Sequence, residues 1–178
     1  MRCKSLSFAV LFLIANLFLT YTAVSVEQVN FINQLDGFGS LKWGTGIDSL
    51  QNMEFVKSGR TSQGDIKIYR NTMDILNYGG IALSSIEYGF SDDKLYFVAL
   101  KTKGIENWKE LRQQAIEKYG QDFSKIDYFG YQNYVWQGPK SSIALEYKPK
   151  EGSSVVLLMV SNYTRNKLLN IHHLTSRK

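Results

Sequence analysis

The run Ile81-Ala-Leu-Ser-Ser-Ile-Glu-Tyr-Gly-Phe90-Ser-Asp-Asp-Lys-Leu95-Tyr-Phe-Val-Ala-Leu-Lys-Thr102 decides the fold. Two stretches rich in β-branched and aromatic residues flank the polar loop Ser91-Asp-Asp-Lys94, which predicts an antiparallel hairpin. Pairing Phe90 with Leu95 sets Tyr88 against Phe97 and Ile86 against Ala99 on one face. The other face then carries Leu83, Tyr96, Val98 and Leu100 beside Glu87. Two largely apolar faces place this hairpin centrally in a sheet, under a helix on one side and more chain on the other.

The covering helix is predicted just downstream. Asn107 is a candidate cap for the segment 108–119, in which Trp108, Leu111, Ala115 and Tyr119 or Ile116 form one apolar stripe, and Gly120 is placed to end it. Trp108 is accordingly assigned to the core. Beyond it, Tyr131 to Gln137, Ser142 to Lys148 and Val155 to Val160 read as a three-stranded meander turning at Gly138-Pro139-Lys140 and at Pro149 to Ser154. Upstream, Asp65 to Arg70 alternates as a strand and Gly79-Gly80 marks a break. The opening 38–50 reads as a short strand, a turn and a brief helix with Thr45 as N-cap and Asp48 in the first turn. The end, Asn162 to Lys178, is expected to add a frayed helix with a mobile tip. The fold class that follows is α+β: an antiparallel, twisted sheet of about six or seven strands packed against one long and one short helix.

The N-terminal segment reads as an address. Met1-Arg-Cys-Lys-Ser precedes an uncharged, mostly apolar run from Leu6 to Leu19, and Ala23 and Ser25 supply small residues for cleavage after Ser25. This predicts a signal peptide over 1–25 and a single exported domain over 26–178, periplasmic or extracellular. An uncleaved anchor is the competing reading, since Ser5 to Val26 carries no charge over roughly 20 residues, a bilayer-crossing length. Asn16, Thr20, Tyr21, Thr22 and Ser25 interrupt that stretch with polar groups and favour cleavage. The one cysteine, Cys3, leaves with the signal, so the mature chain holds no disulfide, no thiol nucleophile and no cysteine-ligated zinc. A mature length of about 150 residues buries enough surface to fold without such staples.

The formal charge of +5 includes Arg2 and Lys4. The remaining basic residues, among them Lys101, Lys103, Lys148, Lys150, Arg165, Lys167, Arg177 and Lys178, are dispersed rather than gathered into the stripe of a nucleic-acid binder. Weak attraction to an anionic membrane or cell-wall polymer is the alternative to a mixed soluble surface.

No catalytic, cofactor-binding or metal-binding residue is assigned, and no cofactor. His172 and His173 are adjacent in the basic tail, where neighbouring side chains diverge and no rigid surround holds a metal or completes a triad. Glycines 37, 39, 44 and 46 match neither a dinucleotide fingerprint nor a Walker loop. Carboxylates are the remaining catalytic candidates: Glu87, Asp127 and Glu146 lie in or beside predicted strands, and paired acids suffice for glycoside hydrolysis. Glu146 is expected to face solvent opposite Ile143 and Leu145, and Asp92 and Asp93 to shape a turn. Aromatics make up 13% of the chain and concentrate at Tyr128, Phe129, Tyr131, Tyr134 and Trp136. They either fill a β-rich core or grip sugar rings or a partner's apolar side chains. Asn162-Tyr163-Thr164 matches a glycosylation sequon.

Leu41-Lys-Trp-Gly-Thr-Gly-Ile-Asp-Ser-Leu50, Tyr78 to Phe90 and Leu95-Tyr-Phe-Val98 together resemble a group of small exported bacterial proteins of uncharacterised function. The resemblance implies export and a single domain, and carries no activity. Leu41 to Leu50 is also similar to the strand-turn-helix opening of small outer-membrane assembly lipoproteins, from which this chain differs in length and in lacking a lipid-bearing cysteine after the apolar run. The expected function is that of an exported, non-enzymatic protein binding another protein or an envelope component, touching the membrane only through its signal segment. The alternative is a secreted hydrolase using paired carboxylates. A third reading, an inhibitor of another organism's enzyme, calls for an ordered protruding loop, with Gly59 to Asp65 as the candidate.

Overall fold

A computed structural model describes residues 35–61, 64–128 and 130–162. From the N-terminal side, β1 (Gly37–Phe38) and β2 (Leu41–Lys42) form a minimal hairpin. A long hairpin follows, β3 (Met53–Thr61) with β4 (Gly64–Asn71), then a second minimal one, β5 (Asn77–Tyr78) with β6 (Ile81–Ala82). Next come β7 (Ser85–Ser91) and β8 (Lys94–Lys103), the helix α1 (Ile105–Tyr119), and a meander of β9 (Ser124–Tyr128), β10 (Tyr131–Gln137), β11 (Ser141–Lys148) and β12 (Ser154–Ser161). Eight strands make one antiparallel sheet in the order β3-β4-β7-β8-β12-β11-β10-β9. It is two four-stranded meanders joined by α1, whose last strands β8 and β12 pair at the centre.

The sheet thus has eight strands where alternation predicts six or seven. The two strands that pattern alone misses are both edges. β3 carries Gly59 and a bulge between Phe55 and Lys57, and β9 is five residues with two charges, so neither shows a sustained period of two. The long helix forms as expected, burying Trp108, Leu111, Ala115 and Tyr119 and closing at Gly120, whose N–H donates to Ile116 O at 2.8 Å. It starts three residues early, however, with Gly104 at the N-cap at φ 96°, and Asn107 does not cap it. The Asn107 amide instead donates to Thr102 Oγ1 and Lys103 O, both at 2.9 Å, fastening the first turn to the end of β8.

The short helix is reduced to a three-residue 3-10 turn, Ile47–Ser49, with Gly46 rather than Thr45 at its cap. Its backbone is committed elsewhere. Gly44 N–H donates to Leu95 O, Leu95 N–H to Thr45 O and Ile47 N–H to Asp93 O, lacing the segment across the β7–β8 turn. Thr45 Oγ1 donates to Lys42 O at 2.8 Å.

The β7–β8 hairpin lies inside the sheet, with Phe90 paired to Leu95 as predicted. Asp92 and Asp93 both have positive φ, 50° and 57°, the geometry of a two-residue turn that continues strand twist. A bulge between Gly89 and Phe90 then shifts the register by one: Tyr88 pairs with Val98, Gly89 with Phe97, and Ile86 with Leu100. Gly89 is required there, because a Cβ would stand 2.0 Å from the Phe97 ring. The correction regroups the faces. Ile86, Tyr88, Phe90, Val98 and Leu100 join the α1 stripe and Trp136, Ile143, Leu145 and Tyr147 in one core. Phe97 and Ala99 join Ile66, Ile68, Ala144 and Leu158 in a second.

Candidate functional site

The three candidate carboxylates are not brought together. Glu87 on β7 is buried and accepts from Lys101 Nζ at 2.7 Å and Arg70 Nη2 at 3.0 Å. Burial pushes its carboxyl up, but Lys101 and Arg70 together pull it below the ordinary value of 4.5. Glu146 on β11 is also buried, which corrects the expectation that it faces solvent. It takes Lys148 Nζ at 3.1 Å, and burial outweighs that lysine, leaving its carboxyl raised. Lys148 is in turn 3.7 Å from Glu151, which accepts from Tyr131 OH at 2.5 Å. Two strands separate β7 from β11 and the register offsets the two acids by two residues, so the Glu87 and Glu146 backbones stand about 16 Å apart at the usual strand spacing. Asp127 is exposed on the edge strand β9, paired with Lys125 at 3.0 Å. Each acid is neutralised by its own cation, and no two share an open cleft of the about 5–10 Å that glycoside hydrolysis uses.

The aromatics divide the same way. Tyr134 and Trp136 are buried, and Trp136 donates its indole N–H to Gly120 O at 2.8 Å. Trp136 meets Tyr119 and Phe123 at ring-centroid distances of 6.2 and 5.3 Å, and Trp108 lies 5.3 Å from Tyr147. These rings fill the core beneath α1 rather than forming a gripping surface. Asn162, the sequon asparagine, is buried; its Nδ2 donates to Gly138 O and its Oδ1 accepts from Ser142 Oγ, so the folded chain does not offer it to a glycan. His172, His173, Cys3, residues 1–34 and the sequence beyond Asn162 lie outside the described residues. Among the described residues no three or more His, Cys, Asp or Glu side chains group to hold a metal, and no helix is long and apolar enough to cross a membrane.

The surface feature that sequence pattern did not single out is the connection from β4 to β5. Met73, Ile75 and Leu76 are 72%, 83% and 45% exposed. The connection is nevertheless built, not loose. Thr72 N–H donates to Asn52 O, Met73 N–H to Asn71 Oδ1, Asn77 N–H to Ile75 O, and Leu83 N–H to Leu76 O. At its centre Asp74 turns inward and accepts the buried Tyr88 hydroxyl on both carboxylate oxygens at 3.0 Å. Burial raises the Asp74 carboxyl, and Tyr88 partly offsets this; the Tyr88 hydroxyl is itself pushed far up and remains a donor. Phe55 on β3 is a further exposed apolar residue, 54% accessible, with its ring edge-on to Tyr69 at 5.6 Å.

The sheet edges offer no comparable surface. β3 is bulged and carries Glu54, Lys57 and Arg60, and β9 is short with Lys125 and Asp127, devices that blunt edge-to-edge pairing. The 59–65 segment is paired strand, Gly59 to Ile66, Arg60 to Asp65 and Thr61 to Gly64, with residues 62–63 outside the described set. No protein-family model, curated protein or solved structure matches the chain.

Proposed function

We propose that the protein is exported and non-enzymatic, and acts by binding a partner protein of the cell envelope or its surroundings through the 73–76 projection. The observation that carries this reading is the contrast between order and exposure there. Three apolar side chains face water on a backbone held by five hydrogen bonds and a half-buried carboxylate. An apolar patch kept in one conformation is the arrangement a docking partner selects, since ordering cost is met before binding. The export half of the reading rests on the basic start, apolar run and small residues of 1–25, and on the resemblance to small exported proteins.

A second reading draws on the same observation: an ordered apolar projection is also the form in which an inhibitor inserts into an enzyme's groove. The test for docking uses the wild-type chain and Ile75→Ser as baits against envelope and culture-fluid fractions. The expected result is a partner retained by wild type and lost by Ile75→Ser at unchanged thermal stability. Equal retention by both baits would refute docking through this loop. A retained partner that is a hydrolytic enzyme, and whose activity falls on binding, would select the inhibitor reading.

A further inference from the structure

At the opposite edge of the sheet from the projection, α1 and the segment leading from it into β9 form a groove of about 370 Å³ lined by Arg112, Gln113, Ile116, Gln121 and Phe123. Its central group is a cation with no counter-ion. Arg112 makes no ion pair and no hydrogen bond among the described residues, and its Nε is buried without a partner. Leaving such a donor unsatisfied is costly, and native structures keep few of them without a reason. The guanidinium is held in place from below, 4.9 Å from the Tyr134 ring centroid and 5.8 Å from that of Trp108. Stacking of this kind fixes the plane of the fork and leaves its edge for a ligand. The neighbouring Lys125 is already tied to Asp127 at 3.0 Å.

We propose that this groove binds an acidic sugar, with its carboxylate on the Arg112 guanidinium and its hydroxyls on Gln113 and Gln121. One planar, fixed arginine with no second free cation suits a monoanionic carboxylate, which it meets with two parallel hydrogen bonds, better than a phosphate dianion. The two side-chain amides complement hydroxyl groups, which both donate and accept. Gln113 spends its N–H on Glu117 at 2.8 Å and keeps its carbonyl to accept, while Gln121 makes no side-chain hydrogen bond among the described residues. Ile116 and Phe123 supply the apolar wall against which the C–H face of a sugar ring packs. The volume is at the small end of ligand sites and fits one ring. The site is separate from the 73–76 projection, so either can fail without the other.

Titration of the full chain with glucuronate, followed by amide NMR shifts and by the indole N–H resonance of Trp108 beneath Arg112, tests the assignment. Saturable binding is expected, weakened by about tenfold or more for glucose and for the methyl ester of glucuronate, which lack the charge-assisted pair. Arg112→Gln is expected to lose binding to the same extent, and the exposed Gln121→Ala, which leaves the core untouched, to weaken it several-fold. No saturable binding of glucuronate, or binding unchanged by Gln121→Ala and Arg112→Lys alike, would overturn the proposal. So would an N-acetyl aspartate amide that binds as tightly as glucuronate, since the groove would then read acidic peptide.

Discussion

Tyr134 and Trp136 on β10 vanish from solvent, whereas Met73, Ile75 and Leu76, between two polar turns, face it. By aromatic content the first pair is the better docking surface, yet α1 lies over it and Trp136 spends its one donor on Gly120. The second group has no helix above it, and its backbone hydrogen bonds are satisfied within the loop and with Asn52 and Leu83. The difference teaches that whether an apolar residue binds or stabilises is set by what the topology lays against it. Order alone does not distinguish the two regions, because both are ordered; the destination of each side chain does.

The comparison breaks first at Trp136. Replacing it with alanine empties a fully buried site, strands the Gly120 carbonyl and should cost about 3–5 kcal/mol, the range for aromatic truncation in a core. Urea denaturation reads this directly, and a cost near zero would mean the ring is not core.

Next in size is Glu87, the buried acid on the face away from α1. Glu87→Gln leaves Arg70 and Lys101 without their charge partner, at about 1–2 kcal/mol, less than a fully buried pair because both cations keep solvent access. The folded carboxyl is below its ordinary value, so its contribution is present above pH 4.5 and is lost as pH falls through the folded value. Unfolding measured across acid pH should therefore show the wild-type advantage over Glu87→Gln shrinking below that point.

Asp74 sharpens the contrast because it joins the exposed loop to the core. Asp74→Ala leaves the buried Tyr88 hydroxyl without an acceptor and should cost about 1–2 kcal/mol. It should also raise amide exchange across 72–77. Asp74→Asn keeps an acceptor and removes a carboxylate that burial disfavours. Because the folded carboxyl is raised, the ionised form is a penalty at neutral pH, relieved as pH falls through the folded value toward 3.8. Asp74→Asn should thus be at least as stable as wild type at pH 7, with the difference closing in acid. Smallest of all is Ile75→Ser, expected within about 0.5 kcal/mol of wild type in thermal unfolding, as for exposed sites without structural duty.

Much of the architecture was legible because strands and helices write their periods into the chain. The α1 stripe of Trp108, Leu111, Ala115 and Tyr119, the β10–β12 meander and the Phe90–Leu95 pairing are all visible in residue spacing. The bulge opposite Gly89 was not: its extra residue, Tyr96, puts Tyr96 and Phe97 on one face between Leu95 and Val98 on the other, and in a continuous apolar run nothing marks where that alternation breaks. Glu146 looked solvated because its strand neighbours Ile143 and Leu145 face α1; its burial depends on Lys148, two residues along the same strand. Met73 to Leu76 carries no period that marks it out. A cluster of large aliphatics inside turn chemistry, Asn71-Thr72 before and Asn77 after, was the signal available. Arg112 gave no sign at all, because a helix arginine beside an apolar stripe ordinarily reaches water or an acid.

The claim that the 73–76 projection is where this protein meets its partner is tested most directly by a photo-crosslinking side chain placed at Ile75. The same group at Arg60 is the control, its side chain being 83% exposed like Ile75 but lying on the charged edge. In envelope preparations the account predicts one discrete protein adduct from position 75 and none from position 60. The same adducts from both positions, or none from position 75, would contradict it.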